Sequence, residues 1–170
     1  PADANEASAA WRLAVESDGP TALVLSRQDL PVLAGTSADG VVRGGYVLVG
    51  DDTRPDVVLV ATGSEVHVCT EAAEQLRSAD LAVRVVSLPS WDRFEAQERS
   101  YRDEVLPPGV PTLAVEAGSP FGWERYADDV VGIDRFGASA PGAVVLEKLG
   151  FTPANVAERA RLLIRDPGGS

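Results

Sequence analysis

Apolar positions along this chain keep a helical period first and then switch to short continuous runs. Ala7, Ala10, Trp11, Ala14 and Val15 recur at helical spacing, so residues 5–16 are predicted to form an amphipathic helix. Asp3 with Glu6 three residues on has the form of a capping box, and Asp18-Gly19-Pro20 is the stop. Residues 21–25 are an unbroken apolar run, the mark of a strand buried on both faces. One helix and one strand cannot make a core, so residues 1–30 read as the tail of a preceding α/β domain. The face bearing Ala10, Trp11 and Val15 and the run 21–25 then lack packing partners. Dimerisation or repacking of this segment against the rest of the chain is expected.

Residues 31–55 read as a linker rich in turn signals, among them Leu30-Pro31, Gly35, Gly40 and Gly44-Gly45, with one strand at 46–49. Beyond Pro55 the alternation is regular. Strands are predicted at 57–61, 82–87, 112–116 and 130–133, separated by a helix over 65–78, one or two short helices over 92–105 and another over 123–127. Helices over 141–149 and 153–164 close the chain, the last with Thr152 as cap and Pro153 at its first position. Strand and helix in alternation predict a three-layer α/β domain over 56–165, an open, mostly parallel sheet covered by helices on both faces. Residues 166–170 are expected to be a disordered tail.

A 45% apolar content is that of a globular chain able to bury a core. The net charge of −11 argues against a nucleic-acid partner, which needs a clustered basic face. No leader and no run of about 18 apolar residues occurs, so neither secretion nor membrane insertion is expected. A single cysteine, Cys69, excludes an internal disulfide, and the cytoplasm is the expected compartment.

Chemistry has few candidates. Arg27 follows the run 21–25, and ligands in open α/β sheets collect outside the carboxyl ends of strands. Its guanidinium fork matches a phosphate bidentately, although a plain ion pair with Asp29 fits the position as well. Thr62-Gly63-Ser64-Glu65, between a strand and a helix, offers backbone N–H groups to an anion, with a simple Ser64 N-cap as the commoner role. His67 has no convergent set of ligands in the sequence, and Cys69 sits on an apolar helix, so the first reads as a surface or half-buried residue and the second as packing. Glu116 ends a strand before a glycine-rich turn and is placed to line a pocket or interface. Trp91, Phe94 and Trp123 suit either a contact with another domain or subunit or ordinary core packing.

The literal wording narrows this. Ser26-Arg27-Gln28-Asp29-Leu30-Pro31 and Gly132-Ile133-Asp134-Arg135-Phe136-Gly137-Ala138-Ser139 resemble the C-terminal third of transketolases. Pro1-Ala2-Asp3-Ala4-Asn5-Glu6 is similar to the helix entry of that family's pyrimidine-binding domain. Ala61-Thr62-Gly63-Ser64-Glu65-Val66, Arg84-Val85-Val86-Ser87-Leu88-Pro89, Tyr101-Arg102, Val105-Leu106-Pro107, Ala114-Val115-Glu116 and Gly150-Phe151-Thr152-Pro153 continue the likeness in order.

The resemblance implies a homodimeric enzyme of the pentose phosphate pathway that transfers two-carbon ketol units between sugar phosphates. Such an enzyme uses thiamine diphosphate with a divalent metal, Mg or Ca. The metal and diphosphate motif, the glutamate that activates the cofactor and the active-site histidines are absent here, and Glu6 and His67 stand in other motifs. Arg27 is therefore the one site residue carried over, as a ligand of the sugar phosphate; no catalytic, cofactor or metal residue is expected in this chain. Its expected partners are the remainder of the same polypeptide and a second subunit. Taken alone it is expected to be inactive, with a structural, dimerising or regulatory role. Dihydroxyacetone synthase shares much of the wording, and a stand-alone interaction or regulatory α/β domain is the rival of a different class.

Overall fold

A computed structural model describes residues 1–50 and 53–166; residues 167–170, most of the expected tail, lie outside the described residues. Helices α1 (Ala4–Glu16) and α2 (Ala38–Arg43) precede strand β1 (Tyr46–Val49). Then come β2 (Val57–Ala61), α3 (Glu65–Arg77), β3 (Val83–Ser87), α4 (Trp91–Glu95), α5 (Arg99–Val105) and β4 (Thr112–Val115). A 3₁₀ turn (Trp123–Arg125), β5 (Asp129–Val131), α6 (Gly142–Lys148) and α7 (Pro153–Arg165) complete the order.

The five strands form one sheet in the order β1-β3-β2-β4-β5. All neighbours run parallel except β1, which pairs antiparallel with β3 at one edge. β1, predicted as an isolated strand within a linker, is thus part of this sheet.

The central strand β2 carries an apolar side chain at every position because both faces are covered. Val57, Leu59 and Ala61 point to a core shared with Val66, Cys69 and Leu76 of α3 and Val156 and Ala160 of α7. Val58 and Val60 point the other way, to Phe94, Val105 and Trp123. The three-layer expectation holds. At the other end of the sheet, Arg159 on α7 grips Asp129 of β5 through both guanidinium nitrogens that face it.

Two local expectations change. Residues 21–25 form no strand, and Val24 is 85% exposed. A strand is held by hydrogen bonds to a neighbour, and no other strand among the described residues lies beside this run. Ser64 does not cap α3: its backbone is already helical, and its hydroxyl donates to Glu65 Oε1 at 2.7 Å. By contrast, Thr152 Oγ1 accepts from Asn155 N–H at 3.2 Å and Pro153 opens α7, as the sequence predicts.

Candidate functional site

The segments singled out in the sequence meet at the carboxyl ends of β2, β3 and β4. A cavity of about 810 Å³ opens there between the sheet and the N-terminal segment, lined among others by Leu13, Ser26, Thr62, Glu65, Trp91 and Glu116. Gly63, in the left-handed region at φ 56°, makes the sharp turn from β2 into α3. At the cavity wall Thr62 Oγ1 donates to Glu116 Oε2 at 2.7 Å. Burial pushes the Glu116 carboxyl up, the Thr62 hydroxyl partly offsets this, and the nearby Glu65 charge adds to the rise.

The acidic side chains around the Thr62–Glu65 turn count against anion binding there, which the sequence offered beside the commoner Ser64 cap. The buried Glu65 carboxylate stands in the first turn of α3, where it already supplies the negative charge a helix N-terminus favours. A second anion would meet Glu65 and Glu116 together.

Arg27 stands in the loop after the 21–25 run. It is exposed and has no hydrogen-bond or ion-pair partner among the described residues, so the pairing with Asp29 does not form. Its guanidinium donors are available to a ligand. Ser26 lines the cavity, and Arg27, the next residue, is not among its lining residues.

Other candidates resolve as packing. Cys69 is wholly buried, and desolvation raises its thiol well above the ordinary range. Phe94 and Trp123 belong to the core; the Trp91 and Trp123 rings meet edge-on with centroids 5.0 Å apart. His67 is half-buried, with Nε2 3.1 Å from the Ala2 carbonyl. In the Gly132–Ser139 motif no ion pair joins Asp134 and Arg135 among the described residues, and Phe136 is 97% exposed.

One constellation was missed from the sequence. Asp3 caps α1 by accepting Glu6 N–H at 2.9 Å, but Glu6 does not return the bond as a capping box would. Its side chain, 1% exposed, turns into the molecule. There Oε1 accepts from Tyr46 Oη at 2.8 Å and Ser87 Oγ at 2.6 Å, and Oε2 accepts from Ala2 N–H at 2.7 Å. Tyr46 Oη in turn accepts Ser37 N–H at 3.2 Å, and desolvation beside Glu6 holds its phenol above the usual tyrosine range. A glutamate three residues after an N-cap reads as local from sequence. Only the fold brings β1 and β3 to it.

Among the described residues no group of three or more His, Cys, Asp or Glu is placed to hold a metal ion.

Comparison with known proteins agrees with this picture. Residues 44–152 match the transketolase-like C-terminal domain family, beginning just ahead of β1. A transketolase of Geobacillus stearothermophilus is 54% identical over 96% of this chain, which covers 26% of that protein. The structure superposes on transketolase from Leishmania mexicana with a TM-score of 0.95 and 44% identity, over 99% of this chain and 25% of that one. A Pichia stipitis transketolase in complex with sedoheptulose-7-phosphate gives a TM-score of 0.93 at 43% identity, over 97% of this chain and 24% of that one. The chain spans about a quarter of the length of the relatives it matches. With this likeness running through both the N-terminal segment and the sheet, the chain belongs to the transketolase family and corresponds to its C-terminal portion.

Proposed function

We propose that this chain serves as the C-terminal portion of a thiamine-diphosphate-dependent transketolase acting in the pentose phosphate pathway, and that Arg27 binds the phosphate of its sugar substrates. The observation that carries the assignment is the 54% identity with a transketolase over 96% of the chain. The exposed, unpaired guanidinium of Arg27 supports its role, because a phosphate offers it charge-assisted, bidentate hydrogen bonds. Held there, a phosphate remote from the reacting carbonyl fixes where that carbonyl lies.

Thiamine diphosphate and its metal supply the carbon–carbon chemistry in this reading and are held by residues outside this chain. Residues 1–30 belong to the pyrimidine-binding domain, 31–55 join it to the C-terminal domain while lending β1 to its sheet, and 56–165 are that domain. The assembled enzyme is a cytoplasmic homodimer. The isolated chain is inactive and contributes to structure, dimerisation or regulation. The rival stand-alone domain has no support in relatives that are themselves transketolases.

Arg27→Ala in the full-length enzyme tests the site. Loss of a charge-assisted contact worth about 1.5–3 kcal/mol predicts a KM for phosphorylated substrates raised about 10–150-fold. Unphosphorylated ketol donors and aldehyde acceptors should be used as before. Equal losses on both substrate classes would remove the phosphate role from Arg27.

A further inference from the structure

The loop that carries Arg27, residues 17–32, makes no hydrogen bond to the rest of the described chain; its one bond, Gly19 N–H to Ser17 Oγ at 3.3 Å, is internal. The course of such a loop is set by its two ends. One end is the C-terminus of α1, where Ser17 follows the last helical residue. The other is Leu33, whose N–H donates to Asp3 Oδ2 at 3.0 Å. Asp3 is 4% exposed, and its other oxygen caps α1, so a single buried carboxylate ties the returning chain to the first turn of the same helix. Leu33 is held a second time. Its carbonyl accepts from Thr36 Oγ1 at 3.2 Å, and that hydroxyl accepts from Asn5 Nδ2 at 2.9 Å. The helix start is itself pinned to the sheet by Glu6 through Tyr46 of β1 and Ser87 of β3, and by His67 of α3 at the Ala2 carbonyl.

A connected path therefore runs from the sheet through Glu6 to α1, from Asp3 to Leu33, and along the loop to Arg27. The Asp3-Ala4-Asn5-Glu6 motif places three polar side chains on four downstream partners, Leu33, Thr36, Tyr46 and Ser87. We propose that Asp3, supported by Asn5 and Glu6, is a positioning residue for phosphate recognition, closing the 17–32 loop on α1 and thereby setting where Arg27 stands. The proposal rests on the phosphate-binding reading of Arg27 and assigns no contact between Asp3 and substrate. Asp3→Asn keeps an N-capping oxygen, so the helix start survives. It also replaces one acceptor by an NH₂ group that faces an N–H donor, and the Leu33 tie is lost. Arg27 must then be ordered at the moment of binding.

The experiment is steady-state kinetics of the full-length enzyme with phosphorylated and with short unphosphorylated substrates, for D3N, N5A, R27A and the D3N/R27A pair. D3N is expected to raise KM for phosphorylated substrates about 5–10-fold, with kcat and the unphosphorylated KM within about twofold of the parent. N5A, which removes an exposed hydrogen bond, shifts the same KM in the same direction by about 2–3-fold and gives the answer if D3N does not fold. In the R27A background D3N adds nothing, because the group it positions is gone. A D3N effect equal on both substrate classes, or fully additive with R27A, overturns the positioning role while leaving Arg27 as the phosphate ligand. No KM change in R27A itself overturns the phosphate reading and this proposal with it.

Discussion

Three carboxylates behave differently once folded. Glu6 is saturated by three donors, Asp3 divides its two oxygens between a helix cap and a loop end, and Glu116 has one hydroxyl partner in a partly dry cavity wall. For Glu116 the balance leaves the native carboxyl above the ordinary glutamate range, first through desolvation. The native state then holds that proton to higher pH than the unfolded chain does, and stability falls as pH rises from the unfolded value through the native one. Glu116→Gln keeps an acceptor for Thr62 and removes the charge. It should raise Tm at about pH 7–8 and leave it unchanged at about pH 3, where both states are protonated. A gain of equal size at both pH values would mean the carboxylate carries no titration penalty.

At the scale of elements, the junction from α2 into β1 leaves no room for a side chain. Gly44 ends α2 at φ 87°, and a Cβ there would stand 2.4 Å from both Phe94 N and Ser90 O. These are backbone atoms of the α4 entry, which cannot swing aside as a flexible side chain would. Gly44→Ala combines a left-handed backbone with an overpacked contact, on the order of 3 kcal/mol. That corresponds to a Tm about 6–12 °C lower in a domain of this size, measurable by thermal unfolding; an unchanged Tm would mean the junction has room to open. Which strands exist was legible in the apolar runs, because a run buried on both faces needs no alternation to announce itself. The membership of β1 in the sheet was not legible. Tyr46-Val47-Leu48-Val49 has the same local text whether it pairs with β3 or stands in a linker, and only the long-range register of Tyr46 opposite Ser87 distinguishes them. Residues 21–25 failed in the opposite sense. Their composition is that of a buried strand, yet strand structure belongs to a pair.

Over the whole molecule, exposed apolar side chains stand on later loops, at Phe121 and Phe136, and in a group on the N-terminal segment. Trp11, Val15 and Val24 are 57%, 80% and 85% exposed, while Glu6 and Ala9 of the same helix are buried against the sheet side. α1 is therefore docked by one face and open on the other. The chain taken alone should self-associate through the open face, visible as a sedimentation coefficient that rises with protein concentration, and a Val15→Asp/Val24→Asp pair should suppress the rise. A concentration-independent monomer would show that the exposed residues are too dispersed to form an interface. No helix among the described residues is long and apolar enough to cross a membrane.

The amino-acid sequence sufficed for the α/β class, the order of elements after Pro55, the caps of α1 and α7, and the family, because each is written in neighbouring residues: period, turn chemistry, literal motif. It also named Arg27, through the wording of one segment. The role of Asp3-Ala4-Asn5-Glu6 lay beyond it. The partners of that motif, Leu33, Thr36, Tyr46 and Ser87, are distant along the chain, and a carboxylate that accepts bonds from three separate segments has no local signature. The same holds for the Thr62–Glu116 wall. Hydrogen-bond partners and burial are properties of closed contacts between segments distant in sequence, and those contacts exist only in the folded chain.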